Sequence, residues 1–168
     1  ARFALEIGKK LQEAGEQIDL VLLENAALLH DIVRVVDFKK FDPKSWGYPV
    51  TQEDIELWEK LREKYRGLHH AEAGAQILKS LGFVKEAVLV RKHRYLQILE
   101  GFETWEEKLL YYADKRAKHD TIVSLKERLD DGRKRNAPET IGNKTSEEID
   151  AKIYSLEEEI LRRTRQHI

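Results

Sequence analysis

Five residues of this chain, His30, Asp31, His70, His93 and Asp114, are of the types that hold divalent metal ions. Each lies within or at the end of a segment with apolar, helix-like patterning. The adjacent pair is the most telling. His30-Asp31 interrupts the run Asn25-Ala26-Ala27-Leu28-Leu29-His30-Asp31-Ile32-Val33. Two ionisable groups in such surroundings cost several kcal/mol unless a partner or an ion compensates them. Neighbouring helical positions point about 100° apart, so both side chains can reach an ion lying in the wedge between them. A cation shared with distant imidazoles and carboxylates would offset the cost, and that points to chemistry.

The other three residues have matching contexts. His70 lies in His69-His70-Ala71-Glu72-Ala73-Gly74, whose small residues let helices approach closely. His93 ends Val88-Leu89-Val90-Arg91-Lys92, and Asp114 ends Leu109-Leu110-Tyr111-Tyr112-Ala113. Singly, each reads equally as a satisfied core or helix-end residue; in order, they form a ligand set. A second pair, His119-Asp120, follows Lys115-Arg116-Ala117-Lys118 and reads as a surface pair or one lying behind the ligands. Cysteine is absent, so any metal is held by imidazole and carboxylate. No nucleophilic Ser stands out.

With 168 residues the chain is most simply one domain, long enough to bury roughly 70% of its unfolded surface. Thirty basic residues against 31 acidic ones give no sign of an extended nucleic-acid or membrane-binding surface. No apolar run approaches the roughly 20 residues of a membrane span, and no secretory signal pattern is visible, so a cytoplasmic location is expected. The charged fraction of 36% hints at a thermophile, where ion-pair networks gain value. Methionine is absent and Ala1 opens in mid-helix pattern, so a cut N-terminus and lost methionines are expected. A homo-oligomer is left open.

The elements that must position the ligands follow from periodicity. Phe3, Leu5, Ile7 and Leu11 predict an amphipathic helix ending near Gly15, and Asp19–Val36 predicts a central buried helix. Asp37–Val50, with Pro43, Gly47 and Pro49 among Phe38, Phe41, Trp46 and Tyr48, predicts a loop. That loop reads either as a lid over the pocket or as a satellite core. Thr51 with Asp54 predicts a capping box opening a helix to Tyr65, broken by Gly67. Further helices are predicted over Leu68–Leu81, Val84–Tyr95, Thr104–Lys118 and Ser124–Arg135. A loop over Asn136–Thr145 and a last helix over Glu147–Arg165, apolar at Ile149, Ile153, Leu156, Ile160 and Leu161, complete the chain. No β-alternating run appears. The expected class is all-α, a single-domain helical bundle.

The ordered set resembles the HD-domain superfamily of metal-dependent phosphohydrolases, whose pattern is H…HD…H…H…D. His30-Asp31 matches the namesake pair in Leu-Leu-His-Asp-Ile, His70 matches an H-x-x-x-G element through Gly74, His93 the next histidine, and Asp114 the closing aspartate. Arg34 matches the basic position of the H-D-I-G-K/R variant, while Val33 departs from its glycine. The resemblance covers residues 1 to about 135, with 136–168 expected as a loop plus a C-terminal helix on the same domain. The family's first histidine is expected a few residues upstream of Ala1.

The resemblance implies a metal held by His30, Asp31, Asp114 and that upstream histidine. His70 and His93 would complete a second metal, with Asp31 bridging, or face the substrate phosphate. Asp31, His70 and His93 are then the catalytic candidates. Imidazole and carboxylate suit one or two ions of Mn, Fe, Ni, Co, Zn or Mg. Arg34, His69, Arg94 and Lys115 are candidates for binding the phosphate, or else solvated basic groups at helix ends. Tyr111, Tyr112, Trp46 and Tyr48 could stack on a base or fill the core. The implied activity is phosphomonoester or phosphodiester hydrolysis of a nucleotide or related small molecule by a metal-activated water. The competing readings are a di-iron oxygenase on the same ligands and a non-catalytic metal- or nucleotide-binding module.

Overall fold

The computed structural model describes residues 1–135 and 143–165. Its architecture is all-α, with one two-stranded hairpin. Helix α1, Arg2–Glu13, buries Ala4, Gly8 and Leu11. Gly8 lies at the α1–α2 crossing, where an added Cβ would stand 2.8 Å from Leu20 Cδ2 and displace the end of that side chain. Helix α2, Leu20–Leu29, is capped by Asp19, whose carboxylate accepts the Leu22 N–H.

The periodicity predicts a central buried helix running on to Val36, but α2 ends at Leu29 and buries Leu23, Ala26 and Ala27. Bonds from Ile32 N–H to Leu29 O, Arg34 N–H to Asp31 O and Val36 N–H to Val33 O replace the α ladder. The chain turns at His30 and passes into a 3-10 turn over Arg34–Asp37. Val21, Leu28 and Ile32 stand exposed. An apolar run therefore carried a helix end.

The Thr51–Asp54 capping box opens α3, Gln52–Lys64, as its sequence requires. Helix α4, His70–Ser80, begins later than Leu68 because His69 caps it, its Nδ1 accepting the Ala71 N–H. Gly74 brings α4 against Val90 of α5, Val84–Arg91, with a Cβ position 3.4 Å from the Val90 methyl. That helix stops before His93, and a short α6, Gln97–Glu100, follows.

Thr104 caps α7, Trp105–Asp114, which ends four residues before Lys118. The strands β1, Ala117–Lys118, and β2, Thr121–Ile122, then pair antiparallel, with His119 at positive φ. Arg116 donates to Val123 O, Val123 N–H to Arg116 O, and Arg128 to Ala117 O, which tie this unexpected hairpin down. Helices α8, Leu125–Arg135, and α9, Asn143–Arg165, complete the chain. Of the loop expected over Asn136–Thr145, residues 136–142 lie outside the described residues and 143–145 belong to α9.

The main core gathers Leu11, Leu23, Leu78, Val90, Leu109 and Tyr111 with Ile149, Ile153, Leu156 and Ile160 of α9. A second cluster forms beneath the aromatic loop. Phe38, Phe41 and Trp46 pack with Trp58, Leu61 and Leu68 on buried Val35, Val36, Tyr65 and Ala73. Trp46 meets Trp58 at 5.1 Å between ring centres, and Arg62 lies over Phe41 while donating to Val35 O. Of the two readings open for this loop, the packing is that of a satellite core. No helix among the described residues is long and apolar enough to cross a membrane.

Candidate metal centre

Helix ends build the site. His30 caps α2 and Asp31 follows it; His70 opens α4; His93 lies two residues past α5; Asp114 is the last residue of α7. Three of these four helices present their C-terminal ends, where the macrodipole places partial negative charge that favours a cation.

Asp31 joins two donor groups. Its Oδ1 lies 3.0 Å from His70 Nε2 and 3.6 Å from His93 Nε2, and those two nitrogens are 3.0 Å apart. Its Oδ2 lies 3.8 Å from His30 Nε2, which is itself 3.8 Å from Asp114 Oδ1. All five residues of the expected ligand set thus converge.

The far side of each ring fixes its tautomer. His30 Nδ1 faces Ala27 O at 2.9 Å and His93 Nδ1 faces Val90 O at 2.5 Å. His70 Nδ1 faces Asp37 Oδ2 at 2.7 Å. Each acceptor calls for a proton on Nδ1, so all three Nε2 atoms carry bare lone pairs in the neutral rings. Two such lone pairs and a carboxylate oxygen within 3.6 Å of one another need a proton or a cation between them. The residues present therefore fit a divalent metal, with hydrogen bonds behind the ligands of the kind that orient metal-bound histidines.

Asp37 is the residue sequence reasoning missed. Its Oδ2 also accepts the His70 backbone N–H at 3.0 Å, and its Oδ1 takes Arg34 Nη1 at 2.5 Å. Arg34 Nη1 lies 2.6 Å from His70 Nδ1 as well, but a guanidinium only donates, so a protonated Nδ1 has Asp37 as its acceptor. Arg34 neutralises that carboxylate. No signal in the sequence marks an aspartate at the mouth of a loop as a histidine's partner.

A second grouping, Asp37 with His69 and His70, also has metal-ligand proximity. It competes poorly. His70 Nδ1 is committed to Asp37, and His69 Nδ1 is committed to the Ala71 N–H.

Charge follows geometry. Burial raises the Asp31 carboxyl, yet bonds to His70 and His93 and the charge of His30 hold it far below the usual range. Burial likewise opposes ionisation of Asp37 and Asp114, but His70 and Arg34 bring the first, and Lys115 the second, to about 2. Burial and the neighbouring His70 charge push His69 down to about 4. Burial lowers His93, whereas His70 is raised because Asp31 and Asp37 outweigh its desolvation.

Among the residues singled out for phosphate binding, Lys115 is buried and donates to Asp114 Oδ2 at 2.5 Å and to His93 O at 3.3 Å. It turns Asp114 Oδ1 toward His30. Arg34 sits beside Asp37 with its side chain partly in solvent. His69 stacks 4.1 Å from the His70 ring, with its Nε2–H uncommitted by the cap. Arg94 is half-buried, and its Nε is buried without a hydrogen-bond partner among the described residues. Tyr111 and Tyr112 are core residues, bonded to Tyr95 O and Glu157. His119 and Asp120 are exposed on the hairpin and share a cleft wall with His30 and Asp114.

Compared with known protein families, residues 1–153 match the HD domain. The chain belongs to the HD-domain family, whose members form a superfamily of metal-dependent phosphohydrolases. No curated protein and no solved structure gives a significant match to it.

Proposed function

We propose that this protein hydrolyses a phosphate ester of a nucleotide or related small molecule, using one or two divalent ions held by His30, Asp31, His70, His93 and Asp114. The observation that carries this reading is the convergence of Nε2 lone pairs on the two oxygens of Asp31. When bound, such an ion polarises the phosphoryl group and makes water nucleophilic near neutral pH.

The chain's own residues supply the rest. Asp31 stays ionised and joins the His70–His93 pair to the His30–Asp114 pair. Lys115 holds Asp114, and Asp37 holds His70. The His69 Nε2–H and the Arg34 guanidinium are the donors best placed to meet phosphate oxygens, since both lie against His70 with donor capacity left over. Arg94 could add a third if its buried Nε turns toward the ester.

The test is a panel of phosphomonoesters and phosphodiesters assayed with Mn²⁺, Ni²⁺ and Mg²⁺, beside metal analysis of the purified protein. Metal-dependent release of phosphate, lost on chelation and restored by readdition, is the expected result. Bound metal with no turnover of any ester would leave a binding module, and oxygen consumption with bound iron would identify an oxygenase.

A further inference from the structure

Beside the candidate centre runs a cleft of about 480 Å³ that the ligand set does not account for. His30 and Asp114 form its inner end, Arg2 and Phe3 of α1 one flank, and the hairpin residues His119 to Ile122 the other. Its volume lies within the roughly 300–1,000 Å³ of small-molecule sites.

Three observations mark the hairpin flank as built for a ligand. The hairpin backbone is anchored by Arg116 and Arg128, yet His119, Asp120, Thr121 and Ile122 all remain exposed. His119 and Asp120 make no hydrogen bond or ion pair with any described residue, although ion pairs are dense elsewhere on this surface. His119 also holds φ +54°, a left-handed conformation that glycine would adopt at less cost. Non-glycine residues held in this region cluster at active sites and ligand clamps.

We propose that this cleft binds the organic, leaving-group side of the substrate ester, and that His119, Asp120 and Ile122 select it. The inference rests on the phosphohydrolase reading above. The cleft is suited to an uncharged, amphipathic alcohol of about nucleoside size. Its charged lining is one cation, Arg2, against three carboxylates, Glu6, Asp114 and Asp120, and that negative balance disfavours a second phosphate. Phe3, Leu110 and Ile122 offer apolar surface to a ring face, while His119, Asp120 and Thr121 offer donors and acceptors to hydroxyl or amide edges. An ester whose phosphoryl group meets the centre at the His30–Asp114 end of the cleft would extend its alcohol into this space.

The test compares wild type with a His119→Ala/Ile122→Ala double variant, both sites being exposed and so tolerant of substitution. Nucleoside 5′-monophosphates of four bases, sugar phosphates and methyl phosphate are assayed side by side. The expected result is a wild-type preference for the nucleoside esters and a KM for the best of them raised roughly tenfold in the variant. Inhibition by inorganic phosphate and metal stoichiometry should stay unchanged. Calorimetric binding of the free nucleoside to metal-free protein should be present in wild type and lost in the variant. Methyl phosphate turned over as well as any larger ester, or a variant with unaltered selectivity and nucleoside binding, would overturn the proposal while leaving the phosphohydrolase reading intact. A wild type that hydrolyses no ester would refute that reading, and the cleft proposal with it.

Discussion

Asp37 Oδ2 accepts two hydrogen bonds from His70, one from the ring Nδ1 at 2.7 Å and one from the backbone N–H at 3.0 Å. The first sets the tautomer and aims Nε2 at Asp31; the second ties the start of α4 to the turn that follows α2. One carboxylate thus locks the ring and the two segments that carry the candidate ligands. Removing such a partner typically costs roughly 10- to 100-fold in metal affinity. Asp37→Ala should show a loss of that size in a metal titration, and Asp37→Asn, whose amide oxygen can still accept the Nδ1–H, a smaller one. Equal affinity in all three proteins would mean that His70 is not a ligand.

Two His-Asp pairs occur in the chain, and the structure gives them different work. Asp31 lies between both donor groups, so Asp31→Ala should abolish metal binding. His119 is on the hairpin and belongs to neither grouping of metal-type ligand atoms, so His119→Ala should leave the metal stoichiometry unchanged. Loss of metal from both variants would contradict the assignment of His30-Asp31 as the metal pair.

Those two pairs also show what a sequence can and cannot reveal. His30-Asp31, His70, His93 and Asp114 were legible because charged groups set among apolar residues need compensation, and because their order matches a known pattern. The capping box at Thr51 was legible because capping is local. The end of α2 at His30 was not. The run from Leu20 to Val36 is apolar enough for a buried helix, and the break depends on tertiary placement of His30 against Asp114. Asp37 was illegible for the same reason, its partner lying 33 positions away. The hairpin escaped notice because two-residue strands leave no alternating pattern.

The aromatic loop gives a stability prediction. Trp46 touches Phe38, Phe41 and Trp58 in the satellite core, and the loop meets the site at its start, where Asp37 bonds His70 and Phe38 lies beside Arg34. Trp46→Ala should lower stability by about 3 kcal/mol, near the low end for large aromatics because the ring is only partly buried. Metal content and KM should not move. A several-fold rise in KM at unchanged stability would make the loop a lid after all.

Alkaline pH probes the core itself. Burial pushes the phenols of Tyr111 and Tyr112 well above the ordinary value of 10.0. The folded state thus favours the protonated form, so this contribution is complete below about pH 10 and is lost as pH rises from there toward the folded-state values. Melting temperature should decline above about pH 10, with tyrosinate absorbance growing as helix is lost. Tyr111→Phe should soften that decline. Tyrosine ionisation at its ordinary pH in fully helical protein would show that these rings are not buried.

The last expectation concerns α9. Ile149 and Ile153 are fully buried in the main core, and three polar links reinforce the seam: Lys108–Glu159 at 2.6 Å, Arg116–Glu157 at 2.8 Å and Tyr112–Glu157 at 2.6 Å. Partly exposed ion pairs contribute little, so the isoleucines carry most of the attachment. Truncating a buried isoleucine to alanine typically costs about 2–5 kcal/mol through lost transfer energy and a residual cavity. If residues 143–165 fold as one unit with the rest, Ile153→Ala should shift a single cooperative transition by that amount, whether followed by calorimetry or by denaturant. A helix merely appended to the domain would melt in an earlier, separate step and leave the main midpoint where it was.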